Sequence, residues 1–82
     1  MVDEDLARIL SVQLESSIEI NDDVSMENTK KWDSLKHIEI IMSIEDFFKI
    51  SFPPEEIPLL NTQQKILKKI RELQSEQIPT KQ

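Results

Sequence analysis

Trp32-Asp33-Ser34-Leu35-Lys36-His37-Ile38-Glu39-Ile40-Ile41 is the stretch on which the reading of this chain turns. It opens a helix. Asp33 or Ser34 can serve as N-cap, since either side-chain oxygen can accept from the first free backbone N–H groups. From Ser34 to about Phe48 the apolar residues are Leu35, Ile38, Ile40, Ile41, Met42, Ile44, Phe47 and Phe48. That is too many for one stripe. Such a helix is buried on two sides or shows one side to a partner. A helix start also gathers unpaired N–H groups and the positive end of the dipole, so a hydroxyl at Ser34 suits a phosphate ester.

Upstream, Leu6, Ile9, Leu10 and Leu14 recur at helical spacing and predict a first helix from about Asp3 to Ser16. Asp3, Glu4 and Asp5 fall in its first turn, where negative charge is favourable. A long polar connection follows, from about Ser17 to Asp33. Connections of this length are uncommon in small domains and often functional. Ile18, Ile20, Val24, Met26 and Trp32 are expected to pin it to the core.

Downstream, Pro53, Pro54 and Pro58 interrupt the chain and leave room for one short helical turn. A last helix is expected from Asn61 or Thr62, with Asn61 and Gln64 as a capping box of the amide type. Ile66, Leu67, Ile70 and Leu73 form its stripe, and Lys65, Lys68, Lys69 and Arg71 lie mostly outside. Pro79 is expected to stop it, with Thr80, Lys81 and Gln82 fraying. The expected fold class is all-α, a four-helix bundle of three long helices and one short one, in a single domain over residues 1–82.

Composition removes whole classes of function. The chain has 82 residues, no cysteine, no glycine and one histidine. Disulfides, thiolate metal sites and a cysteine nucleophile are excluded. Glycine-rich phosphate loops are excluded too, and His37 alone cannot make a multi-histidine metal site. No apolar run approaches the roughly 20 residues needed to span a bilayer. With an acidic start at Met1-Val2-Asp3-Glu4-Asp5, a soluble cytoplasmic protein, without membrane insertion and monomeric, is expected. The net charge is −6, with 14 acidic and 5 basic residues in 1–64 against 2 acidic and 5 basic in 65–82. An acidic body repels nucleic acid and attracts basic protein partners.

The order of helices and the motif Asp33-Ser34-Leu35 with Glu39 resemble the acyl carrier protein family over nearly the whole chain. Ile44-Glu45-Asp46-Phe47-Phe48-Lys49-Ile50 looks like that family's Leu-Glu-Glu-x-Phe. Phe52-Pro53-Pro54-Glu55-Glu56 resembles its Ile-Pro-Asp-Glu-Glu, and Leu60-Asn61-Thr62 stands where it has Ile-Thr-Thr. The resemblance implies that a phosphopantetheinyl transferase moves 4'-phosphopantetheine from coenzyme A onto Ser34, with Asp33 supporting. Cargo then rides as a thioester between acyl-loading and acyl-transferring enzymes, and the protein itself is no enzyme. The comparison assigns Ile40, Ile41, Ile44 and Phe48 to the core. Leu35, Ile38 and Met42 become a docking stripe, with Glu39, Glu45 and Asp46 as its acidic component. Otherwise these carboxylates are a solvated face and Met42 is core.

Departures point away from the housekeeping fatty acid carrier. Lys36 replaces a frequent acid, and Trp32-Asp33-Ser34-Leu35-Lys36-His37 looks more like discrete carriers of specialised pathways. His37 is expected to be a partly exposed helix residue. An aminoacyl or peptidyl carrier, or a small helical interaction module with Ser34 as an ordinary helix cap, are the alternative readings.

Overall fold

A computed structural model of the chain describes residues 2–77. Its described elements are α1 (Val2–Leu14), α2 (Ser34–Phe48), a 3₁₀ helix (Pro54–Leu59) and α3 (Gln63–Gln77). The result is a small all-helical bundle. No strand forms among the described residues, where one isolated antiparallel bridge joins Ser25 to Thr62. The expected stop at Pro79 and the fraying of residues 80–82 lie outside the described residues.

α1 packs on both α2 and α3. Leu6, Leu10 and Leu14 of its stripe are buried, as are Ile40, Ile41 and Ile44 of α2 and Ile66, Leu67 and Ile70 of α3. Ile50, Phe52 and Leu60, from the connection after α2, join the same core. Full burial of one such side chain stabilises by about 1.5–3 kcal/mol. Trp32 is 1 % exposed and closes the core at the end of the long connection. Ile18, Val24 and Met26 pack on it half-buried. Ile20 is exposed and does not join them.

The glycine-free sequence ends its helices on other residues. Glu15 takes φ 53° after α1, and Lys49 takes φ 58° after α2. In each case the next residue bonds back across the last turn: Ser16 N–H to Ser11 C=O at 3.0 Å, and Ile50 N–H to Glu45 C=O at 3.2 Å. This is the motif usually built on glycine.

Two local expectations change. Residues 54–59 continue through Pro58 as a 3₁₀ helix, not a single turn. Its ends are closed by Glu56 N–H to Pro53 C=O at 2.9 Å and Leu60 N–H to Ile57 C=O at 3.1 Å, and Pro58, without an N–H, donates no bond between them. The N-terminus of α3 is capped by Thr62, whose Oγ1 accepts from Lys65 N–H at 3.0 Å, in place of the expected Asn61 and Gln64 pair. The Asn61 side-chain Oδ1 accepts from Lys65 Nζ at 3.3 Å instead, and its backbone carbonyl accepts from Met26 N–H at 2.9 Å, tying the long connection to the start of α3.

Candidate functional site

Asp33, not Ser34, caps α2. Asp33 has extended backbone, and its Oδ1 accepts from Lys36 N–H at 2.8 Å. Its carbonyl accepts from His37 N–H at 2.8 Å, the first helical bond. Ser34 therefore stands at the first helical position, exposed. Its hydroxyl makes no hydrogen bond among the described residues. The amides of Ser34 and Leu35 have no acceptor within the helix and sit at its positive end. The serine is thus an uncommitted nucleophilic oxygen beside uncommitted donors.

The next turn is electrically balanced. Lys36 Nζ reaches Glu39 Oε1 at 2.8 Å. The hydrogen bond to Glu39 holds the Lys36 ammonium above its ordinary pKa, with desolvation opposing. The Lys36 charge is therefore paired with the Glu39 carboxylate on the surface of α2.

His37 is a correction. It is 5 % exposed, not a partly exposed helix residue. The Trp32 indole Nε1–H donates to His37 Nδ1 at 3.0 Å. An indole N–H is only a donor, so Nδ1 is an acceptor and the proton sits on Nε2. His37 Nε2–H then donates to the Ile57 carbonyl at 2.8 Å. This relay links the long connection, the first turn of α2 and the 3₁₀ helix. Position 37 is in helical register with the buried Ile40, Ile41 and Ile44, so periodicity pointed to its burial, but the partner at Ile57 is twenty residues away and no local pattern shows it. The Trp32 and His37 pair, five residues apart, was the available signal.

Beside this relay lies an open groove of about 380 Å³, lined by Met26, Ser34, His37, Ile38, Ile57 and Pro58. Only Ser34 and Ile38 among these were expected at a site. Met26, Ile57 and Pro58 reach it through folding of the two connections.

Leu35 is 71 % exposed, Met42 62 % and Ile38 48 %, so Met42 is no core residue. The three form one outward apolar stripe on α2, with Glu39 and the exposed Asp46 alongside. Asp46 stands 3.9 Å from Lys49 Nζ. Glu45 is half-buried, and its Oε2 accepts from Phe52 N–H at 2.8 Å, which fastens the segment after α2. Phe47 is a further exposed apolar residue, under the guanidinium of Arg8 at 5.7 Å from the ring centre.

Among the described residues, no cluster of three or more His, Asp or Glu side chains is placed to hold a metal ion. No described helix is long and apolar enough to cross a membrane. No protein-family model and no curated protein matches the chain.

Proposed function

We propose that this chain is a carrier protein of the acyl carrier kind, modified on Ser34 by 4'-phosphopantetheine, and that it catalyses no reaction itself. The observation that carries the reading is the division of labour at the start of α2. Asp33 does the capping, so the Ser34 hydroxyl is left without a structural duty, exposed at a helix N-terminus. An ordinary cap serine would accept from an amide two or three residues on, and here Asp33 holds that amide.

The residues present fit such a group. A phosphodiester on Ser34 Oγ would place negative charge at the positive end of α2, within reach of free amides. Lys36 remains paired with Glu39 and Asp33 keeps its second oxygen for the transfer step. The attached arm supplies a terminal thiol on which acyl cargo rides as a thioester, chemistry that a cysteine-free chain otherwise lacks. Leu35, Ile38 and Met42, edged by Glu39 and Asp46, suit docking onto basic and partly apolar surfaces of a phosphopantetheinyl transferase and of acyl-loading and acyl-transferring enzymes. The residue pattern Trp32-Asp33-Ser34-Leu35-Lys36-His37, by its resemblance, favours a discrete carrier of a specialised pathway.

Intact-mass measurement after incubation with coenzyme A and a broad-specificity phosphopantetheinyl transferase tests this. The expected result is one added phosphopantetheinyl group in the native chain and none in Ser34→Ala. No added mass in the native chain, or addition that survives Ser34→Ala, overturns the proposal and leaves a helical interaction module.

A further inference from the structure

We infer that the groove beside Ser34 receives the geminal dimethyl group of the arm, and that His37 is a positioning residue which sets one wall of that groove. The inference rests on Ser34 being the attachment point. Ser34 itself lines the groove, so anything esterified to its oxygen starts at the rim. In pantetheine the carbon bearing the two methyl groups is separated from the phosphate by a single methylene. It is the first apolar part of the arm, and by covalent reach it lies near Ser34. Met26, Ile38, Ile57 and Pro58 present apolar surface there. Covering the two methyl groups against such surface removes apolar area from water, which favours the bound position.

The wall carrying Ile57 and Pro58 belongs to the 3₁₀ helix, none of whose residues is fully buried. Among the described residues two polar ties hold it to the other elements: the Ile57 carbonyl to His37 Nε2–H at 2.8 Å, and Glu56 to Lys69 Nζ at 2.7 Å. The first lies at the groove. Trp32 orients His37 for it by donating to Nδ1. Both contacts need one acceptor and one donor on the side chain at position 37. A glutamine amide supplies both, whereas phenylalanine supplies neither.

The test uses the full chain converted to the phosphopantetheinyl form, with the two arm methyls ¹³C-labelled and conversion verified by mass. Filtered NOE spectra are expected to connect these methyls to those of Met26 and Ile57. His37→Phe is expected to lose the contacts and His37→Gln to keep them. Met26→Ala leaves the His37 bonds in place and is expected to weaken the contact to Ile57, so the groove is tested even if His37→Phe fails to fold. Arm methyls that show free-pantetheine shifts and no NOE in the converted native chain overturn the groove while leaving Ser34 as the attachment point. Contacts that persist in folded His37→Phe overturn the role of His37. Failure of conversion itself overturns the attachment reading.

Discussion

Asp33 and Ser34 are adjacent polar residues with different duties. Asp33 spends its carboxylate on the amide of Lys36 and so spares the hydroxyl of Ser34. Removing the carboxylate tests this division. Asp33→Ala is expected to lower stability by about 1 kcal/mol, within the usual cost of losing an N-cap. Denaturant unfolding measures it, and an unchanged midpoint would show that Ser34 can take over the cap. Ser34→Ala, in contrast, is expected to leave the midpoint nearly unchanged, since its hydroxyl makes no bond in the fold. The two variants therefore separate the oxygen that caps α2 from the one proposed for modification. His37 shows where residue-level reading failed. Its polarity suggested a surface position, but a polar ring can be buried when both nitrogens find partners. Here those partners are Trp32 and Ile57.

At the scale of elements, α2 was legible from Ser34 to Phe48 because its cap and apolar positions are local. The 3₁₀ helix was harder to read, because its hold depends on Glu56 meeting Lys69 and on Ile57 meeting His37, partners distant in sequence. The walls of the groove were illegible for the same reason: Met26 and Pro58 meet only after folding. The end of α2 offers a prediction. Lys49 sits in left-handed backbone, which costs a residue with a Cβ roughly 1–2 kcal/mol. Lys49→Gly relieves that cost but gives back about 0.4–1 kcal/mol through a freer unfolded chain. A net gain of about 0.5–1 kcal/mol is expected, read as a rise in Tm of a few degrees. The outward side of α2 offers another. Glu39→Lys loses a surface pair worth at most about 1 kcal/mol and sets a second cation beside Lys36. The fold should survive, while, on the proposed function, kcat/KM for modification by a phosphopantetheinyl transferase falls at low salt; equal kinetics at low salt would remove Glu39 from the proposed docking face.

The whole molecule is one core shared by three helices and their connections, with 82 residues to supply it. Small domains of this kind carry about 5–15 kcal/mol of net stability. Ile41→Ala is expected to remove about 2–5 kcal/mol, since Ile41 is 2 % exposed and sits among the α2 residues of the core. A change below 1 kcal/mol in denaturant unfolding would mean that the site collapses around the smaller side chain. Trp32 joins this core to the site, for it is both a buried core residue and the donor to His37. It is also the sole tryptophan, in a chain without tyrosine. The protein therefore carries its own optical gauge: emission excited at the indole band comes from a single ring one hydrogen bond away from the groove, so its colour and lifetime follow local events at Ser34 without any attached dye.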